Sequence, residues 1–461
     1  MSATITQEAY DEEIKELMEG LGMTEEEAIE DAIKCFEMKG VDLSKIVTDS
    51  VLEDKYKQIV MCLERLTCAV NDKSYERVPE TLQELRTELD KDISHRVFAG
   101  KRKCYNILID LLKDCQKNQA ILKLTLETIT SLMSGYPDLL DDEGIALQIE
   151  ILEKHYDTAT LQCLLCWIRE CCIKHELNRQ KIFETNIFEK LKKILVRTDV
   201  DAQEVKDACS VIRALVLDDD IRHEYGKAHE HASIMAKGAL DVITGLLNRF
   251  KKDTKVIGDL MITLAALVVR NEFCQEVEDA GGLKFILDIM TEYPDSEKLN
   301  WQALKLLKAL GGNDNVKSHI ITSGCAPLIV SSISRMKRSE NVVAAGLSCI
   351  SALSLRSTSN SGVFYDCGAA QVIVDAMKAY PNHVNILKQA SWAIRNMSVR
   401  NKSESKEFLM YGVEEILRDA VRLHGPKLED NVKAALRDLG LKVDLKERWT
   451  GKGVSLSNER Y

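Results

Sequence analysis

Five stretches of the chain share one pattern, in which a helical segment runs into a glycine and an apolar segment restarts behind it. They are IMAKGALDVITGLL, VEDAGGLKFILDIM, IITSGCAPLIVSSI, FYDCGAAQVIVDAM and FLMYGVEEILRDAV. With Gly238, Gly282, Gly324, Gly368 and Gly412 taken as equivalent, the steps are 44, 42, 44 and 44 residues. A unit of that length cannot bury its own apolar face, so neighbouring units must stack and share a continuous core. Glycine suits the join because a sharp turn between two helices favours a positive φ. Arg270-Asn271, Arg356 and Arg400-Asn401 stand about a dozen residues ahead of a glycine, where an earlier helix ends. Each unit therefore reads as a short helix, the glycine turn, a second helix, a loop and a long third helix. ILKLTLETITSLM (121–133) and LLCWIRECCIKHE (164–176) keep the third-helix register upstream.

The expected fold class is all-α: a right-handed superhelix of about seven or eight three-helix units over residues 95–445. Residues 1–94 do not keep the period. TEEEAIEDAIKCFEMKGVDLSKIV (24–47) opens with Thr24 and Glu27, a capping box, and predicts a small helical N-terminal extension. Residues 446–461, which include the polar stretch WTGKGVSLSNERY, predict a flexible tail. Composition agrees with helix over sheet, since only 6 prolines and 23 glycines occur and aromatics make up 5%. A net charge of −11 argues against a phosphate-tracking surface, so no nucleic-acid partner is expected. No apolar run reaches the roughly 18 residues of a membrane span. The acidic start lacks a basic-then-apolar leader, and the 14 cysteines then point to free thiols in a reducing cytoplasm or nucleus. A monomer is expected.

The period, the glycine turn and the stretch QASWAIRNMS (389–398) together resemble the armadillo-repeat family. The blocks EEAIEDAIKCFEMKGVDLSKIV, DDDIRHEYGKAHEHA and VVRNEFCQEVEDAGGL lie outside the general repeat pattern and extend a resemblance to that family over most of the chain. The resemblance implies a non-enzymatic scaffold or adaptor that binds protein partners in a groove lined by third helices. It also raises the alternative of a nuclear-transport-type receptor, in which a ladder of Trp and Asn residues holds an extended peptide.

Trp392 and Asn396 form one such rung, four residues apart on a helix face. In the repeat register the Trp392 column continues as Glu127, Cys166, Ser210, Ile262, Leu304 and Ser348. The Asn396 column is Ser131, Glu170, Ala214, Ala266, Lys308 and Ala352. One rung does not make a ladder, and the receptor becomes the second reading. One position earlier, Arg169, Arg213 and Arg395 alternate with Ala265, Leu307 and Ser351. Arginine forks can receive an acidic segment, or can pair with carboxylates across the stack. The candidate groove residues are thus Trp392, Arg395, Asn396, Arg169 and Arg213.

A second feature is an insert of eight residues between Arg213 and Gly238, relative to Arg395 and Gly412. It carries His223, His229 and His231 behind Asp218, Asp219 and Asp220. Imidazoles and carboxylates can bind zinc, but His229 and His231 face different ways on a helix, so a metal site requires an extended loop. AHEHA (228–232) also resembles the small-residue–His-x-His acceptor pattern of protein histidine methyltransferases, with His229 as acceptor and His231 as the alternative. The run CLLCWIRECC holds Cys163, Cys166, Cys171 and Cys172, with His175 behind it, inside an apolar helix, where thiols pack as small hydrophobes. No phosphate-binding glycine loop, nucleophile elbow or His-Glu-x-x-His motif is present, so neither an enzyme nor a cofactor is expected.

Overall fold

The computed structural model describes residues 3–4, 7–39, 41–43, 56–154, 157–222 and 225–443, and the expected tail over 446–461 lies outside them. The chain divides into two compact units, 1–232 and 233–461. The expected fold class is present: both units are built of stacked helices in armadillo-repeat order.

Each repeat ends in a long third helix whose first turn is fixed by a polar cap. Asn118, Asp157 and Asp201 cap Gln119–Met133, Thr158–Cys172 and Ala202–Ala214 in the first unit. Asp253, Ser296, Ser339 and His383 cap Thr254–Leu267, Glu297–Leu310, Glu340–Ser354 and Val384–Ser398 in the second. Each side chain accepts a bond from an N–H that the helix cannot satisfy internally. The last third helix, Pro426–Asp438, starts on proline instead, whose missing N–H costs nothing there.

Third helices of consecutive repeats lie side by side within each unit. In Glu340–Ser354 the apolar positions Val342, Val343, Leu347, Ile350 and Leu353 are all buried. In Val384–Ser398 they are Ile386, Leu387, Ala390, Ile394 and Met397. Each large aliphatic side chain removed from water in this way contributes about 2 kcal/mol. The side-by-side packing reaches back to Val78–Leu89, which lies against Gln119–Met133.

The turn between first and second helices is left-handed where glycine supplies it. Gly324, Gly368 and Gly412 have φ of 86°, 76° and 77°. In the preceding repeat the turn residue is Gly281, at φ 88°, rather than Gly282. Gly282 is the first helical residue, and a Cβ there would stand 2.7 Å from the Val277 carbonyl oxygen. Gly238 is no turn at all: it lies inside Ala228–Arg249, one continuous 22-residue helix. In the first unit Lys103 and Asn186 take the left-handed turn, at φ 62° and 59°. The glycine period fades upstream because other residues bear the same backbone conformation.

The N-terminal extension holds two helices, Gln7–Leu21 and Glu25–Met38. The expected capping box is made, with the Thr24 N–H donating to Glu27 at 3.0 Å and Thr24 Oγ1 accepting from the Glu27 N–H at 3.4 Å. Tyr10, Ala32 and Phe36 form its small core. One parallel pairing of Ala3–Thr4 with Val41–Asp42 is the departure from an all-helical chain among the described residues.

Candidate functional site

The caps set which third-helix residues face outward. Nine residues after each cap of the second unit stand Ile262, Lys305, Ser348 and Trp392, and twelve after stand Ala265, Lys308, Ser351 and Arg395. Sequence alignment put Leu304 and Leu307 in those places. Both leucines are fully buried, and Ser296 as cap moves this repeat by one residue, so that Lys305 and Lys308 are the exposed pair. The register signal was in the sequence, in the polar residue ahead of each apolar run rather than in the run itself.

Three consecutive helices then form a trough. Glu297–Leu310 presents Trp301, Lys305 and Lys308, and Val384–Ser398 presents Lys388, Trp392 and Arg395. Between them Glu340–Ser354 presents only Ala344, Ser348, Ser351 and Ala352. Lys305 Nζ stands 4.3 Å from the Trp301 ring centroid, and Lys388 Nζ stands 5.3 Å from that of Trp392. A cavity of about 300 Å³ is lined by Lys308, Ser348, Trp392, Arg395, Asn396 and the small residues between.

Trp392 is 39% exposed, and its Nε1–H donates to Asn431 Oδ1 at 2.5 Å, which fixes the plane of the ring. Asn396 Nδ2 donates to the Ser351 carbonyl at 2.9 Å and to Ser351 Oγ at 3.0 Å. Its amide nitrogen therefore ties adjacent repeats together. Arg395 Nε lies 3.3 Å from the Asp438 carboxylate, which also accepts from Arg437 at 3.0 Å. Burial, with the charge of Lys308 added, lowers the pKa of the Lys305 ammonium.

In the first unit Arg169 and Arg213 occupy the same register on adjacent third helices. Arg169 donates from Nε and Nη2 to Glu170 at 3.1 and 2.6 Å, and the carboxylate of Asp207 on the adjacent third helix adds a further charge across the stack. The structure does not join these two arginines to Trp392, Arg395 and Asn396 in one described site.

Two of the three histidines of the insert stand on a helix and not on an extended loop. Residue His223 lies outside the described residues. His229 and His231 sit in the first turn of Ala228–Arg249, the former exposed and the latter 3% exposed. The His231 ring stacks on Phe183 at 3.9 Å between centroids and 9° between planes. Its Nδ1–H donates to the Leu215 carbonyl at 3.1 Å, and burial lowers its pKa. His231 is a neutral core residue whose ring is already occupied. Among the described residues no group of three or more His, Cys, Asp or Glu side chains is arranged to hold a metal ion.

The acidic run before the insert serves a different purpose, one that sequence reasoning missed. Asp219 accepts from Arg179 Nη1 at 2.6 Å and from the Lys174 N–H at 3.1 Å. Asp220 accepts from the Glu176 N–H at 2.8 Å and from Arg222 Nε at 2.9 Å. Arg222 reaches on to Asp138 at 2.6 Å and to the Lys174 carbonyl at 2.9 Å, and the Lys227 N–H donates to Glu176 at 2.7 Å. The insert is thus strapped onto the start of Glu176–Glu184. Asp220 and Arg222 are close in sequence, but Asp219 with Arg179 and Asp138 with Arg222 are 40 and 84 residues apart, too far for any local rule to join.

Cys171 and Cys172 are fully buried, and burial pushes the Cys172 thiol up to about 12. His175 caps Glu176–Glu184 by accepting from the Asn178 N–H at 3.2 Å, and its Nε2 stands 3.4 Å from the Asp138 carboxylate. No helix among the described residues is long and apolar enough to cross a membrane.

Comparison with known proteins agrees with the repeat architecture. Residues 59–457 match the family model ARMC6, and residues 2–61 match the armadillo repeat-containing protein 6 N-terminal domain. The armadillo repeat-containing protein 6 homolog of Drosophila melanogaster is 46% identical over 98% of this chain and 98% of its own length. Armadillo repeat-containing protein 6 of Homo sapiens is 38% identical over 99% of this chain and 95% of its own. The crystal structure of an engineered protein aligns with a TM-score of 0.54 at 16% identity, over 82% of this chain and 99% of that one. A structure from a study of the phosphorylation switch between cadherin and beta-catenin aligns with a TM-score of 0.54 at 14% identity, over 82% and 69%. At those identities the two structures speak to fold alone, whereas the family matches cover nearly the whole sequence. This chain belongs to the armadillo repeat-containing protein 6 family.

Proposed function

We propose that this protein is a non-enzymatic adaptor that holds an extended protein segment on the third-helix face of its second unit. Trp392, Arg395 and Asn396 form the anchor, and Arg169 and Arg213 offer a further contact in the first unit. The observation that carries this reading is a 39% exposed tryptophan beside a cavity of about 300 Å³. Partly exposed aromatics next to arginine are the side chains that contribute most to protein recognition. A transport receptor is less well supported, because Trp392 and Asn396 are the only Trp–Asn pair at those two positions among the described third helices. The adaptor works as a monomer in the cytoplasm or nucleus, where its 14 free thiols stay reduced. The test is affinity capture from cells with wild-type chain and with Trp392→Ala combined with Asn396→Ala. At least one partner should be lost from the variant while its helical circular dichroism is retained; an unchanged set of partners rejects the reading.

A second reading rests on the exposure of His229. It stands on the outer side of a helical first turn while His231 is buried against Phe183. His229 is therefore the imidazole of the pair that a histidine methyltransferase can reach in the folded chain. Fragment mass spectra of protein isolated from its own cells should place one methyl group on His229, and unmodified His229 in every such preparation ends the idea.

A further inference from the structure

The trough of the second unit has an excess of positive charge in a protein whose net charge is −11. Lys305, Lys308 and Lys388 form no ion pair among the described residues. Two of them lie against tryptophan faces, which attract a cation without neutralising it. Lys305 is partly desolvated, and the nearby Lys308 further disfavours its charge. Among the described residues, Arg395 alone of the cations in the trough has a carboxylate, and that carboxylate is shared with Arg437. The floor between the two cationic walls is made of alanine and serine with Leu355 at its end, so a main chain can lie close to the small residues. Acidic side chains do not recur inside the trough; Glu429, Asp430 and Asp438 all belong to the last helix beyond it, where Glu429 holds Lys433 at 2.6 Å.

We propose that the segment held in this trough is acidic, an extended peptide whose carboxylates lie between Lys308 and Arg395 and beside Lys305 and Lys388, with its backbone over Ser348, Ser351 and Ala352. The proposal rests on the adaptor reading and adds the chemistry of the partner. Charge complementarity selects the class: three lysines without counter-ions among the described residues repel a basic segment, and a carboxylate restores the balance. Tryptophan rings flanking the ammonium groups give a peptide side chain an apolar surface next to each charge. A peptide is favoured over nucleic acid because the cations occupy one short trough and not a continuous basic stripe.

The test uses the full chain and fluorescein-labelled synthetic peptides, read by anisotropy and by Trp392 quenching. A Glu-Ala repeat peptide should bind, with affinity that falls as salt rises, while Lys-Ala and Ser-Gly repeat peptides should not. Lys308→Glu with Lys388→Glu should weaken the acidic peptide at least about tenfold, the value of losing one charge-assisted contact. Arg249→Glu, outside the trough, should leave it unchanged. Equal binding of acidic and Ser-Gly peptides, no binding of either, or equal binding of an oligo-dT strand, would overturn the proposal. If affinity capture shows a partner lost on Trp392→Ala whose bound segment is neutral or basic, the acidic assignment fails while the adaptor reading stands. If no partner is lost, the adaptor reading itself fails.

Discussion

Arg179 shows what a single residue does in this chain. It is 1% exposed and bonds Glu176, Asp219 and the Cys172 carbonyl, so three acceptors depend on it. Arg179→Ala leaves the 2% exposed carboxylate of Glu176 without its cation, and the expected loss is about 3 kcal/mol, measured as a lower urea midpoint. His231 gives a pH signature. Its pKa in the fold lies below the ordinary 6.5, so the unfolded chain binds the extra proton first. Stability is then full above about pH 6.5 and declines as the pH falls below it. In His231→Phe that decline should shrink, and thermal unfolding across pH 5–8 measures it. Asp138 acts at lower pH: hydrogen bonds from His175 and Arg222 hold it at about 2, against 3.8 in the unfolded chain. The strap it anchors keeps its full contribution above pH 3.8 and loses it as the pH falls towards 2.

At the scale of elements, caps and turns decide register. Gly324 sits at φ 86° with open space where a Cβ would be, so Gly324→Ala changes backbone energy and little else. We expect it to cost about 1 kcal/mol in chemical denaturation, with no change in the peptide-binding assay. Ser296 does the opposite kind of work. Its Oγ accepts from the Leu299 N–H, which starts Glu297–Leu310 and turns Lys305 and Lys308 outward. The sequence alignment missed this because Leu304, Leu306, Leu307 and Leu310 form an apolar run that tolerates a shift of one. The long Ala228–Arg249 helix was missed for a related reason: Gly238 keeps the spacing of the turn glycines and precedes an apolar run as they do, yet the helix runs through it.

At the scale of the whole molecule, the contrast is between a net charge of −11 and a cationic trough in the second unit. Net charge sets solubility and discourages nucleic acid, while recognition depends on where the few unbalanced charges are held. The same chain can therefore repel anions on average and collect an acidic segment locally. That distinction predicts a binding rate that falls with ionic strength even though the protein and its ligand both carry net negative charge, which stopped-flow anisotropy with the Glu-Ala peptide can measure.

The sequence by itself determined the repeat architecture. A period of 42 to 44 residues with glycine at the turns permits few folds, because each unit must bury its apolar face on the next. It also determined that Trp392 and Asn396 share a helix face, since spacing alone decides that. Only the tertiary structure decided what the side chains meet. It gave the amide nitrogen of Asn396 to Ser351, buried His231 against Phe183 and left His229 outside, and joined Asp219 to Arg179 and Asp220 to Arg222. The physical reason is one of range: periodicity and caps are written within a few residues, whereas contacts such as Asp219 with Arg179 and His231 with Phe183 join residues 40 or more apart, and only folding brings those together.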